Sequence, residues 1–167
     1  MSGFLKFLLQ LGIFFGLVVA LLSYQFSQYG AGEMDPGHPD VGVVSSLLRG
    51  AEIELTDSYA VYGNLSGDID RGFAARVSGF DWESLNREAT FYRGDQLPAE
   101  LAQVVQFNAE HLGGGSLSWY PAAEDTLSLR YFVAGLSLDL QEGYVDSGRI
   151  VLLRPQDQMV FYSWVKF

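Results

Sequence analysis

The side chains able to do chemistry are few. His38 and His111 supply all the imidazole, and the chain has no cysteine. That excludes thiolate nucleophiles, disulfides, zinc-thiolate and iron–sulfur sites together. His111 stands just before Gly113-Gly114-Gly115 and Ser116, where a base beside a glycine loop would suit an anionic substrate. Ser116 lies in no G-x-S-x-G context, however, and no carboxylate stands at a spacing that would orient the ring. His111 therefore reads as a complement to the dipole at a helix C-terminus. His38, between Gly37 and Pro39, has no motif around it.

The carboxylates offer two patterns. Asp146-Ser147-Gly148, after Tyr144-Val145, resembles the hydrophobic-hydrophobic-Asp-Ser/Thr-Gly signature of aspartic proteases, whose chemistry needs two carboxylates sharing one proton. Only residues 149–167 follow it and no second copy exists, so a hairpin turn is the expected structure. Asp68-Ile69-Asp70-Arg71-Gly72, after Asn64 and Ser66, gathers oxygen ligands suited to a hard cation but lacks the third position and distal glutamate of a calcium loop. It reads as a solvated turn, and Asn64-Leu65-Ser66 is also a glycosylation sequon. No catalytic residue, metal ligand or cofactor is assigned. The candidate binding residues are aromatic: Trp119 with Tyr120, and Tyr162 with Trp164, the latter two on one face of the last strand, where flat rings would stack on a sugar.

What positions these residues begins with a membrane segment. Residues 4–24 read FLKFLLQLGIFFGLVVALLSY, and at about 1.5 Å per residue they match the ~30 Å hydrocarbon core of a bilayer. Lys6 lies close enough to one end to snorkel, and Tyr24, Phe26 and Tyr29 suit the interface at the other. Lys6 precedes the apolar run, while Glu33, Asp35 and Asp40 follow it, so the positive-inside rule puts the N-terminus in the cytoplasm and the rest outside. Gly12, Gly16 and Ala20 recur every fourth residue, a stripe on which another membrane helix could dock, and Gln10 favours such a contact. The alternative is a cleaved signal peptide, with Val18 and Ala20 before a cut at Leu21, but the apolar run exceeds the usual ~7–15 residues.

The chain divides into an anchor (1–26), a Gly- and Pro-rich linker (27–39) and an outward domain (40–167). In the domain Asp40 is expected to cap a short helix through Leu48, closed by Gly50. Ile53 and Leu55 alternate with polar residues as a strand does, and Tyr59 and Val61 continue that alternation past a turn at Asp57-Ser58. Residues 64–93 favour strands. Leu97, Leu101, Val104, Val105 and Leu112 share one helical face behind Pro98, and the glycines from 113 end it. Beyond Ser116 the pattern is sheet: Leu127 to Ala134, Leu136 to Gln141, Arg149 to Arg154, and a final hairpin through Pro155 to Phe167. The apolar run Ile150-Val151-Leu152-Leu153 places its strand centrally. The expected fold class is α+β, an antiparallel sheet with one main helix packed on it.

With 167 residues, 49% of them hydrophobic, the chain suffices for one core, and its net charge of −10 argues against nucleic-acid partners. These features together suggest a non-enzymatic, single-pass inner-membrane accessory or assembly protein whose periplasmic domain binds a membrane-protein partner, with self-association open. The alternatives are a periplasmic glycan-binding or ligand-sensing domain and, behind it, a hydrolase without a recognisable motif.

Overall fold

The computed structural model describes residues 3–27, 30–62, 68–113 and 117–166. Helix α1 (Gly3–Ser27) leads into a short strand β1 (Gly30–Gly32), helix α2 (Pro39–Leu47) and strands β2 (Glu52–Tyr62) and β3 (Ile69–Ser78). A 3₁₀ turn (Trp82–Arg87), β4 (Tyr92–Arg93), α3 (Ala99–Gly113) and a single turn of helix, α4 (Ala123–Thr126), precede β5 (Phe132–Gln141), β6 (Tyr144–Arg154) and β7 (Met159–Lys166). The strands form one seven-stranded sheet in the order β1-β2-β3-β7-β6-β5-β4, and every neighbouring pair is antiparallel. The domain is α+β, with helices packed on the sheet.

Both faces of the sheet are covered, which explains why β6 reads as a continuous apolar run. Ile150 and Leu152 meet Leu101, Val104, Val105 and Leu112 of α3, together with Phe161. On the opposite face Val151 and Leu153 meet Val41, Val44 and Leu48 from α2 and its C-terminal end, with Leu85 and Phe91. All four residues from Ile150 to Leu153 are fully buried, as expected for a strand between β5 and β7. The turn between β5 and β6 has positive φ at Glu142 (50°) and Gly143 (87°), the two-residue geometry that matches strand twist.

Several local expectations change. Residues 127–131 do not form a strand: β5 begins at Phe132, and Leu127 and Leu129 are exposed. Here hydroxyls capture the backbone first, Thr126 donating to the Ala123 carbonyl and Ser128 to that of Asp125, which holds the chain in turns. Asp146-Ser147-Gly148 lies inside β6, paired with β5 and β7, and is not a turn. Asp57-Ser58 does not break β2; a register shift between Leu55 and Asp57 absorbs the irregularity. Asp40 does not cap α2, because His38 does so, its Nδ1 accepting the Asp40 N–H at 3.2 Å. Within the segment expected to be a linker, β1 pairs with the edge of β2, and Met34 is buried with its N–H on Ser58 Oγ at 2.9 Å.

Side chains are described in α1 for Phe7 and residues 10–23. Among the described residues no helix is long and apolar enough to cross a membrane.

Candidate functional site

Freed from capping, Asp40 points into the sheet. It sits in the first turn of α2 with its side chain only 3% exposed, and both carboxylate oxygens face guanidinium groups. Arg149 Nη2 donates to Oδ1 at 2.6 Å, and Arg71 Nε lies 2.7 Å from Oδ2. The two arginines come from β6 and β3, which flank β7, and both are in register with Trp164. Their guanidinium carbons lie 4.7 Å (Arg149) and 4.4 Å (Arg71) from the centre of the Trp164 ring, so one indole serves two cations. Arg149 Nε also donates to the Tyr162 hydroxyl at 2.7 Å. Burial, with Asp40 close by, pushes the Tyr162 phenol well above its ordinary range. The phenol stays protonated, the indole has no acid–base function, and two cations face one anion. Chemically the cluster clamps α2 to the sheet and leaves a local excess of positive charge on an acidic chain.

A second polar group lies on the other face. Asp70 Oδ2 accepts the Tyr59 hydroxyl at 3.4 Å and lies 3.2 Å from His111 Nε2. Asp70 Oδ1 is buried without a hydrogen-bond partner among the described residues. Burial and the Asp70 charge raise the Tyr59 pKa. A carboxylate facing an imidazole can fix a tautomer, as a general base requires. No spacing in the sequence links these two residues; β3 and the end of α3 bring them together. Ser116, Asn64 and Ser66, singled out beside them, lie outside the described residues. Nearby, Asn108 is a fully buried amide in the apolar stripe of α3 and donates to the Gly148 carbonyl (3.0 Å) and Ser163 Oγ (2.8 Å). The Tyr120 hydroxyl lies 2.7 Å from the same Ser163 oxygen.

No family model, curated protein or solved structure matches the chain. The site must be read from its own geometry.

The four candidate aromatics do not share a surface. Tyr120 and Trp119 belong to the layer between the sheet and α3, while Tyr162 and Trp164 belong to the layer beneath α2. Tyr162 is fully buried and stacked on Phe73 at 5.1 Å, and Trp164 lies under the two arginines. Trp119 alone of the four reaches a described recess, about 340 Å³, lined also by Glu33, Met34, Leu55 and Asp57. Among the described residues, Asp68 and Asp70 included, no three His, Asp or Glu side chains are grouped to hold an ion. Gly12 and Gly16 have nothing within 4 Å of where a Cβ would stand, and Ala20 is exposed.

Proposed function

We propose that the chain is a membrane-anchored accessory protein without catalysis of its own, whose outward α+β domain binds a protein of a membrane complex. One observation supports this most directly. Apart from Phe7, the large apolar side chains described in α1 run from Leu11 to Leu22, and all of these, Phe7 included, are between 37 and 62% exposed. A helix apolar on every side needs a cover, and lipid is the cover that suits all faces at once. The flanking sequence, Phe4-Leu5 before and Leu8-Leu9 within, extends the apolar run to spanning length, and the polarity of the charges sets the N-terminus inside. Gly12, Gly16 and Ala20 give that helix a face on which a partner helix can sit closely.

The test uses the full-length chain with a C-terminal tag in its native membrane. The expected result is a chain that starts at Met1, resists alkaline extraction and carries a stoichiometric membrane partner, which Gly12→Ile with Gly16→Ile releases. A mature chain starting near Leu21, or a resident of the membrane that purifies alone before and after those substitutions, overturns the reading.

A further inference from the structure

Strand register fixes which end of the sheet lies next to α1. Gly30 pairs with Tyr62. The β2–β3 ladder, last paired at Ala60 and Arg71, brings Tyr62 level with Ile69 two residues further on. Ile69 pairs with Lys166, Lys166 with Ser147, and Ser147 with Asp139. These residues form one row across the sheet, from the edge where α1 enters to the edge formed by β5. Beyond the row, three backbone steps lead from Gly30 to Ser27 at the end of α1, at most about 11 Å. At the other corner the β5–β6 hairpin passes the row in the same direction by three residues, Ser147 to Tyr144, or about 10 Å. The corners are four to five strand spacings apart, about 19–24 Å, and the hairpin's projection falls within the bound on the path to α1.

The projecting corner carries Tyr144, which at 79% is the most exposed large apolar side chain among the described residues. Its turn is held in place, because Gln103 of α3 donates to the Gly143 carbonyl at 2.5 Å. Lys166, exposed, lies on the row between the two corners. Asp139 and Glu142 are exposed and Asp146 half-buried at the same corner, a charge set that opposes an anionic surface.

We propose that the β5–β6 hairpin tip, residues 141–144, is a second membrane contact: it seats the Tyr144 ring at headgroup level in a zwitterionic leaflet, the one from which α1 emerges. This rests on α1 being the anchor. Tyrosine suits that depth because its ring is apolar and its hydroxyl polar. Two contacts at separate corners would hold the strands upright, where α1 alone gives the domain a single point of attachment.

The absence of cysteine makes the test direct, since any introduced thiol is unique. Single nitroxide labels are placed at Leu17→Cys, Glu142→Cys and Gln156→Cys in full-length protein, one chain per phosphatidylcholine nanodisc, and collision with oxygen and with a water-soluble nickel chelate is measured. Gln156, exposed in the turn before β7 at the far end of the sheet, is the aqueous reference. The expected result is an oxygen-rich label at 17 and a label at 142 several-fold less accessible to nickel than the one at 156. Adding Tyr144→Ser should abolish that difference. A label at 142 as accessible as that at 156, with 17 still in lipid, overturns this proposal and leaves the anchor standing. A label at 17 open to nickel overturns the anchor and the proposal together. Protection at 142 that persists in a lipid-free chain lacking α1 identifies a protein contact and overturns the lipid assignment.

Discussion

A carboxylate buried as deeply as that of Asp40 is costly to place and more costly to orphan, and its worth is set by what remains when it is gone. Arg71 and Arg149 are 24 and 19% exposed, so each guanidinium depends on Asp40 for much of its charge balance. Removing one member of a buried ion pair costs about 3–5 kcal/mol, because the partner charge stays behind. With the arginines partly wet, Asp40→Ala should cost about 2–3 kcal/mol, read as a lower urea midpoint of the full-length protein in detergent at unchanged slope. Changing Arg71 and Arg149 to methionine as well should recover part of that loss, since the stranded charges go too. A loss within about 0.5 kcal/mol would rank the cluster with ordinary surface pairs. Trp164 supplies a local readout, because its emission should change when the carboxylate that positions both stacked cations is removed.

At the scale of elements, α3 is held against β6 by closeness as much as by apolar area. A Cβ at Gly148 would collide with Val104 Cγ1 and stand 2.9 Å from Asn108 Oδ1. Gly148→Ala should therefore push α3 outward and cost about 1–3 kcal/mol, the range for overpacking a filled core, with a matching fall in thermal midpoint. A variant as stable as the parent would show that α3 moves freely on the sheet. Gly148 also shows where sequence legibility stopped. Its place after Asp-Ser suggested a turn, because a glycine needed for close approach and one needed for a turn look alike until the neighbour across the sheet is known. The body of α3, the first half of β2, the central position of β6 and the final hairpin were legible, since each depends on periodicity within a dozen residues. The segment from Leu127 to Arg130 was not, because its alternation fits a strand while its hydroxyls bind the local backbone. The polar clusters were the least legible part. Asp40 meets Arg149 across 109 positions and His111 meets Asp70 across 41, and no local pattern encodes which carboxylate the topology will deliver.

For the molecule as a whole, the division that matters falls inside the segment read as a linker. The large apolar side chains described in α1 are all at least 37% exposed, whereas Met34, a few residues after that helix ends, is 4% exposed and fastened to Ser58. Anchoring and folding should thus be separable at residues 28–29. A chain starting at Gln28 keeps β1 and Met34, and its thermal midpoint should stay within a few degrees of the full-length protein, since it loses little buried area. A chain starting at Asp35 loses β1 and uncovers the edge of β2 from Ala60 to Tyr62. It also loses a buried methionine worth about 1.5–3 kcal/mol. The three ordered residues of β1, two of them glycine, carry an entropic cost that offsets part of this, so a net loss of about 2 kcal/mol is expected. For a domain of this size that is a fall of roughly 5–10 °C, measurable by circular dichroism on the two truncations. If the chain starting at Gln28 failed to unfold cooperatively, α1 would be part of the fold and its exposed faces would need a cover from the domain itself. If the two truncations melted together, β1 would be a passive tether, and the short path from helix end to sheet edge would no longer fix the orientation of the domain.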